Sequence, residues 1–309
     1  RLGADGYRLD VADELPDCFI RDVRRRIKAQ SPDNVLLGEV WEDCSDKQGP
    51  QGRRGYVNGD ELDSAMDYPL RRAILDFCAG KLDAFDAAEA MWTLLSHYPK
   101  PFYEACLHLL SSHDEVRALS YLAGCPDRFH SSREEQAAFV PSAAALERAK
   151  ERFLAATALQ MLLPGVPCVY YGDEAGLQGC ADPFNRRTYP WGREDEALRA
   201  QVKALIALRN GERVLHGGHI RLGALSPQVL CLVRYDESNV MVLLVNGSDA
   251  PAEALFYPAL LYAGPDGDVS VPLSGVYREL GTEEVLKVYH TLQTQLAPGT
   301  YKIFRKDIL

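Results

Sequence analysis

Short apolar segments alternate with longer amphipathic segments over the first two thirds of the chain. Each apolar segment has the length of a buried strand, and the stretches between them repeat apolar residues at helical spacing. Strands and helices in alternation predict a parallel sheet built from βα units, an α/β fold. The predicted strands are 6–10, 35–40, 62–67, 106–111 and 166–171, and the predicted helices are 17–30, 69–79, 84–96, 143–163 and 194–210.

The pattern changes at about residue 213, where helical periodicity ends and β-type segments begin. Two domains are therefore predicted: an α/β domain over 1–212 and an all-β antiparallel sandwich over 213–309. The second domain shows no clustered acids and no aromatic platform, so we expect it to contribute stability rather than catalysis. Its predicted strands are 220–225, 229–235, 240–246 and 301–304.

Composition and charge narrow the class of function. The 309 residues carry a formal net charge of −10, which disfavours nucleic acid and membrane as partners because both require a basic face. Eight cysteines are scattered without a CxxC pair or a close Cys/His cluster, so we predict no metal site and no cofactor. Scattered cysteines in a chain of this size are typical of free core thiols, which predicts a reducing, cytoplasmic compartment.

Three acids stand at or just beyond predicted strand ends. Asp10 closes the first strand, Glu39 lies near the end of the second, and Asp114 follows the fourth. In a βα barrel, side chains at these strand ends converge on one face. Three carboxylates there suit glycoside hydrolysis, in which one attacks, one exchanges a proton and one stabilises positive charge. The alternative is that each acid is a helix N-cap, a common role for acids after strands.

Four segments around these acids resemble the motifs of the α-amylase superfamily, glycoside hydrolase family 13. They are 3–10 (GADGYRLD), 37–41 (LGEVW), 112–114 (SHD) and 166–174 (VPCVYYGDE), in the family's order and approximate spacing. The resemblance covers essentially the whole chain, closely in the α/β part and loosely in the β part. It implies Asp10 as nucleophile, Glu39 as general acid/base and Asp114 as transition-state stabiliser.

Finer features resemble the neopullulanase, cyclomaltodextrinase and maltogenic amylase branch of that superfamily. Segments 11–14 (VADE), 59–69 (GDELDSAMDYP) and 182–187 (DPFNRR) carry this likeness, although Asp13 departs from the branch's Asn. The resemblance implies that Asp182 and Arg186 grip a distal sugar. It also puts Glu14 near the acceptor side, where a solvated surface glutamate is an equal alternative.

The remaining site predictions follow from the chemistry each acid requires. Arg8 lies on the same strand face as Asp10, where its guanidinium favours the ionised carboxylate needed for attack; a structural ion pair is compatible with this. Apolar neighbours of Glu39 in sequence would favour its protonated form. The resemblance further implies that His113 binds sugar hydroxyls, with a purely structural histidine as the alternative, and that Trp41 stacks on the leaving-group sugar, with core packing as the alternative.

The resemblance further implies that the chain holds strands 4–8 of a (β/α)8 TIM barrel, followed by the sandwich domain. The chain starts Arg1-Leu2-Gly3, directly before a predicted core strand, so we expect a fragment that lacks the N-terminal part. We expect the isolated chain to be inactive, and to self-associate or pair with the missing part through its open strand edge.

The expected function of the full-length protein is retaining hydrolysis of α-1,4 bonds, with some α-1,6 bonds, in α-glucan oligosaccharides. Maltodextrins, cyclodextrins or pullulan are the expected substrates, with some transglycosylation. Three alternatives stay open at this point: an α-1,6-glucosidase, a sucrose-acting member of the superfamily, and a catalytically inactive homologue.

Overall fold

The computed structural model describes residues 3–50, 52–237, 239–256, 262–263, 274–282, 284–289 and 291–306. The helices are α1 (Asp17–Lys28), α2 (Tyr68–Cys78), α3 (Ala84–His97), α4 (Lys100–Ala105), α5 (Ala118–Leu122), α6 (Arg133–Ala138), α7 (Ala143–Leu162), α8 (Glu196–Gly211) and α9 (Val214–Gly217). The strands up to residue 168 are β1 (Gly6–Leu9), β2 (Val35–Gly38), β3 (Gln48–Gly49), β4 (Gly52–Arg53), β5 (Ser64–Ala65), β6 (Leu107–Leu109) and β7 (Val166–Cys168). The later strands are β8 (His219–Ala224), β9 (Val229–Tyr235), β10 (Val240–Asn246), β11 (Ala252–Phe256), β12 (Tyr262–Ala263), β13 (Gly275–Glu279), β14 (Val285–Val288), β15 (Leu292–Leu296) and β16 (Tyr301–Lys306).

The chain divides into two compact units that do not follow a single cut in the sequence. The first consists of Arg1–Arg72, Thr93–Leu109 and Gly165–Cys168. The second consists of Ala73–Trp92, Leu110–Pro164 and Val169–Leu309. The domain boundary at residue 212 therefore stays a prediction, based on the change from helical to β-type periodicity in the sequence.

The first unit holds the predicted parallel strands in chain order. β1, β2 and β5 form one parallel sheet, and β6 pairs in parallel with β7. A parallel bridge between Met66 and Leu107 continues the order from the end of β5 toward β6. The regular strands are shorter than predicted. The third predicted strand, 62–67, contains only the two residues of β5, because the residues on either side of β5 pair through isolated hydrogen bonds such as Asp63 N–H to Leu36 C=O.

Helix α1 confirms the predicted amphipathic segment with one exception. Ile20 and Ile27 are buried, and Val23 is half-buried on the same side. Phe19, an apolar residue that helical spacing would also put near this side, is 47% exposed. At helical spacing Phe19 lies at the edge of the apolar stripe, whose buried centre is formed by Ile20 and Ile27.

In the second unit, the long helix α7 ends at Leu162, one residue short of the predicted range 143–163. Two buried or half-buried arginines satisfy carbonyls at this end. Arg209 donates to the carbonyls of Met161 and Leu163 at 2.9 and 2.8 Å, and Arg234 donates to Leu162 at 2.8 Å. Because the last carbonyls of a helix have no intrahelical partner, these bonds and the positive charges stabilise the terminus.

The predicted antiparallel C-terminal sheet is confirmed. β12, β8, β9, β10, β16, β13 and β14 lie side by side in that order, and a separate β11–β15 pair supplies the opposing layer. Alternate residues of β9 and β10 pack against Phe256 and Leu292 from that pair in one apolar core. All seven positions of β9 and of β10 are buried, so both of their faces are covered, in keeping with sequences that are apolar except for Arg234 in β9 and Asn246 at the end of β10.

The cysteine prediction requires a correction. Cys125 and Cys180 form a disulfide, while Cys18, Cys44, Cys78, Cys106 and Cys231 are thiols. The two partners are 55 residues apart, and sequence spacing gives no sign of their proximity. The compositional argument for a reducing compartment therefore loses its basis. Within the described residues, no helix has the length and apolar character needed to span a membrane.

The buried carboxyl group of Asp67, the residue before α2, should make the stability of the fold depend on pH. Asp67 Oδ1 accepts the Leu70 N–H at 3.1 Å, and Oδ2 lies 3.5 Å from Nε2 of the buried His108. Burial raises the pKa of Asp67 to about 7. The native state therefore keeps a proton that the unfolded chain releases near pH 4, and stability is lost as the pH rises between these values.

We predict that Asp67→Asn reduces this loss, which is on the order of 1 kcal/mol per pH unit. Asn keeps the acceptor for the Leu70 N–H but carries no charge. The measurement is the free energy of urea unfolding at pH 5 and pH 8, with the exposed Asp33→Asn as the matched control. Equal pH slopes for Asp67→Asn and the parent chain would show that Asp67 does not carry the effect.

Candidate functional site

Asp10 and Glu39 directly follow two neighbouring parallel strands, as predicted. Leu9, the last residue of β1, is in register with Gly38, the last residue of β2. Two backbone bonds extend the pairing past these ends: Glu39 N–H to Leu9 C=O at 3.0 Å, and Ala12 N–H to Glu39 C=O at 3.2 Å. The two acids are therefore fixed by the backbone next to each other at the same edge of the sheet.

A single guanidinium joins the two acids. One terminal nitrogen of Arg8 lies 2.8 Å from Glu39 Oε1, and the other forms an ion pair with Asp10 Oδ1. The Glu39 side chain is 5% exposed, whereas that of Asp10 is 71% exposed. Arg8 thus offsets the repulsion between two like charges while leaving Asp10 open to solvent.

The surroundings of the Glu39 carboxylate differ from the expectation. Sequence neighbours suggested an apolar setting, but Oε1 contacts Arg8 and Oε2 accepts the Val11 N–H at 2.8 Å. The reason is geometric: side chains alternate across a strand, so the buried Leu36 and Val40 point to the face opposite Glu39. The carboxylate meets groups from the neighbouring β1 segment instead.

Val11, the residue after Asp10, adopts a strained conformation. Its φ of 45° and ψ of 54° lie in the left-handed region, which is an outlier for a β-branched residue. Such strain costs roughly 1–3 kcal/mol and requires support from its surroundings. Here the Val11 N–H bonds to Glu39, and the chain turns at once into a 3-10 turn at Ala12–Glu14.

The polar loop 42–59 supports this turn through three side chains. The buried Arg54 donates to the carbonyls of Asp13 and Leu15, the latter at 2.7 Å, and pairs with the Asp17 carboxylate. Lys47 lies 2.8 Å from Asp13 Oδ2, and the Tyr56 hydroxyl donates to Asp13 Oδ1 at 2.9 Å. Sequence reasoning missed these residues, although the departure of Asp13 from the branch's Asn was a signal, because a carboxylate there attracts a cation.

Two further predicted residues lie in the same unit. Trp41 is half-buried, and its ring stacks on Tyr68 with centroids 4.1 Å apart and planes 8° apart. Stacking on a sugar by the other ring face stays a prediction. Glu14 is exposed and lines a cavity of about 190 Å³ together with Pro50 and Arg54.

The other four predicted residues lie together in the second unit. His113 Nε2 is 3.0 Å from Asp114 Oδ2, and a terminal nitrogen of Arg186 is 3.4 Å from Asp114 Oδ1. Arg186 Nε is 2.6 Å from Asp182 Oδ1 and donates to the His113 carbonyl at 2.9 Å. All four side chains are at least a quarter exposed, so their polar groups remain accessible to a ligand.

Asn185 was not predicted as a site residue, but its side chain fixes the backbone that carries His113 and Asp114. Its fully buried amide nitrogen donates to the carbonyls of Ser112, His113 and Glu115 at 2.8 to 3.2 Å. The main-chain carbonyl of Asn185 in turn accepts a hydrogen bond from Nε of the buried Arg117 at 2.9 Å. The resemblance of segment 182–187 to the branch assigned roles to Asp182 and Arg186, and only the fold reveals that Asn185 holds the backbone around Asp114.

Arg117 connects the backbone near Asp114 to segment 166–174, the last of the four family-like segments. It pairs with Asp173 at 2.8 Å and donates to the Tyr171 carbonyl at the same distance. Burial raises the pKa of Asp173 to about 6, against the opposing effect of Arg117. Among the described residues, no group of three or more His, Cys, Asp or Glu side chains is arranged to hold a metal ion.

Comparison with known proteins identifies the family. The model of the α-amylase catalytic domain matches residues 1–214. An amylopullulanase of Thermoanaerobacter thermohydrosulfuricus is 36% identical over 71% of this chain and 14% of its own length. A cyclomaltodextrinase of Geobacillus thermopakistaniensis is 34% identical over 81% of this chain and 38% of its own length.

Solved structures agree with this assignment. Ttha1563 from Thermus thermophilus matches 99% of this chain and 59% of its own, with a TM-score of 0.76 and 29% identity. The cyclic α-maltosyl-(1→6)-maltose hydrolase from Arthrobacter globiformis, in complex with maltose, matches 97% of this chain and 56% of its own, with a TM-score of 0.71 and 26% identity. The chain thus spans less than two thirds of the length of each of these relatives. Its family is nevertheless clear: this chain belongs to the α-amylase family of glycosidases, glycoside hydrolase family 13, with cyclomaltodextrinases and neopullulanases among its homologues.

Proposed function

We propose that the whole protein carrying this sequence is a retaining glycosidase that cleaves α-1,4 bonds, and some α-1,6 bonds, in α-glucan oligosaccharides. The observation that carries the proposal is the Arg8 guanidinium in contact with both Asp10 and Glu39. Such a bridge supports the short separation of retaining enzymes, whose carboxyl groups are roughly 5–5.5 Å apart. Maltodextrins, cyclodextrins and pullulan are the proposed substrates, in keeping with relatives named amylopullulanase and cyclomaltodextrinase.

The proposed roles of the acids follow the motifs that the chain shares with its family. Asp10, exposed and paired with Arg8, attacks the anomeric carbon as the ionised nucleophile. Glu39 protonates the leaving oxygen and later activates the water or acceptor sugar, which gives hydrolysis or transglycosylation. Asp114 is the third acid, which stabilises the reacting sugar with help from His113. Asp182 and Arg186 bind a more distant sugar, Trp41 stacks on the leaving group, and Glu14 contacts the acceptor.

The architecture proposed for the whole protein is an eight-stranded βα barrel. Its strands 4–8 correspond to the five parallel segments β1, β2, β5, β6 and β7, whose chain order supports this assignment. We also propose residues 1–212 as catalytic and 213–309 as the C-terminal β-sandwich domain. The match of the catalytic-domain model to residues 1–214 supports that boundary.

The proposed roles of Asp10 and Glu39 predict two distinct mutant phenotypes in the whole protein. Asp10→Asn removes the nucleophile and should abolish turnover of maltotriose. Glu39→Gln should lower turnover by roughly 10²–10⁴-fold on maltotriose, but much less on substrates with good leaving groups, which need no proton in the first step. Azide should then give a glycosyl azide that retains the anomeric configuration.

Product analysis by NMR checks this pair of variants. The control is Asp46→Asn, which removes an 81% exposed carboxylate from loop 42–59 and should leave activity unchanged. Glu39→Gln with near parental activity on maltotriose would exclude Glu39 as the acid/base. An inverted azide product would contradict the retaining mechanism.

The contacts of Arg54 predict that it positions the segment after Asp10. Arg54→Met should lower kcat on the order of 10²-fold, the effect of misplacing a reacting group by about 1 Å, with little change in KM. Kinetics on maltotriose in the whole protein, with thermal unfolding as a check on folding, provide the measurement. Arg53→Met is the matched control, because Arg53 is 62% exposed and donates to the Ser45 carbonyl instead. Equal kcat values for the two variants would refute the positioning role.

A further inference from the structure

A cavity of about 500 Å³ lies in the second unit, outside the clusters described above. Helix α7 contributes Lys150 and Leu154, the N-terminal turn of α8 contributes Asp195, and strand β16 contributes Tyr301 and Lys302. Its volume falls within the range of small-molecule sites, about 300–1,000 Å³. Because these walls are regular elements, the side chains are held by rigid supports.

The two lysines of the cavity are oriented by fixed partners. Lys150 Nζ lies 2.7 Å from both Glu147 Oε1 and Asp195 Oδ2. Lys302 Nζ lies 3.0 Å from Glu279 Oε2 and 3.1 Å from the Thr294 hydroxyl. Hydrogen bonds to Asp195 and Glu147 raise the pKa of Lys150, so this ammonium group stays charged at neutral pH.

The mixture of charges restricts the class of ligand. Glu147, Glu151 and Asp195 face the cavity with Lys150 and Lys302, so an anion meets an excess of carboxylates and a cation meets two ammonium groups. An entirely apolar ligand would remove these charged groups from water and leave their remaining hydrogen-bonding positions unfilled, which is costly. A neutral ligand with many hydroxyl groups satisfies both the donors and the acceptors.

The apolar part of the lining fits the same class of ligand. Leu154, Leu198 and Ile303 are buried residues of the lining, and Tyr301 is half-buried beside them. Sugar rings present C–H groups on their faces and hydroxyl groups around their edges. A pocket with an apolar floor and a few fixed polar groups matches that distribution.

We propose that this cavity is a second binding site for a neutral oligosaccharide, separate from the acids at the ends of β1 and β2. This modifies the sequence-based expectation that the C-terminal β segment contributes stability alone, because β16 forms one wall. The choice of maltotriose as the probe rests on the proposed function; the site itself is argued from its lining.

Methyl NMR of the whole protein, labelled at Ile, Leu and Val and carrying Asp10→Asn to prevent turnover, tests the proposal. Maltotriose should shift the methyl resonances of Ile303 and Leu280 in a saturable manner. Inorganic phosphate and spermine, as anionic and cationic probes, should not. Shifts at Leu9 and Val40 report separately on the acids, so failure at that site is distinguishable from failure at the cavity.

Two exposed variants test the location. Ala197→Leu fills part of the cavity and Gln201→Leu removes an amide from its lining; each should weaken the response of Ile303 and Leu280 on the order of tenfold. Ala200→Leu is the matched control, because Ala200 is exposed on α8 outside the lining and should leave the response unchanged. Absence of a saturable response to maltotriose, a response to phosphate or spermine instead, or equal effects of the three variants would overturn the proposal.

Discussion

Arg8 places one positive charge between two carboxylates that the parallel sheet brings together. Asp10 and Glu39 follow strands whose last residues are in register, so their proximity is set by backbone hydrogen bonds. The guanidinium contacts both carboxyl groups, and it offsets their mutual repulsion whenever both are ionised. The strained Val11 and the turn after it depend on the same arrangement, since the Val11 N–H bonds to the Glu39 carboxylate.

Buried polar side chains that bind backbone carbonyls recur throughout the chain. Arg54 holds the turn after Asp10, Asn185 holds the backbone around Asp114, and Arg234 binds the end of α7. Irregular segments leave carbonyl groups without regular partners, and an unpaired buried carbonyl is costly. Such side chains let loops adopt one conformation, and the segments next to Asp10 and around Asp114 are held in this way.

The parts of the fold that could be predicted are those determined by the local periodicity of apolar residues. The burial of β9 and β10 and the length of α7 follow from their apolar patterns, and the strand ends bearing Asp10 and Glu39 follow from short apolar runs. Contacts distant in sequence could not be predicted. The Cys125–Cys180 disulfide and the three carbonyls bound by Asn185 join residues more than 50 positions apart. The polar contacts of Glu39 were missed because its nearest partners belong to the neighbouring strand rather than to its own.

In the proposed mechanism, Asp10 forms a covalent bond to the anomeric carbon of the sugar. Mass spectrometry of the whole protein carrying Glu39→Gln, after incubation with a fluorinated glucosyl fluoride that forms the glycosyl–enzyme rapidly and releases it slowly, tests this most directly. We predict a single glycosyl adduct on the peptide containing Asp10, which is lost when Asp10→Asn is added. An adduct on another carboxylate, or an adduct that persists in the Asp10→Asn variant, would contradict it.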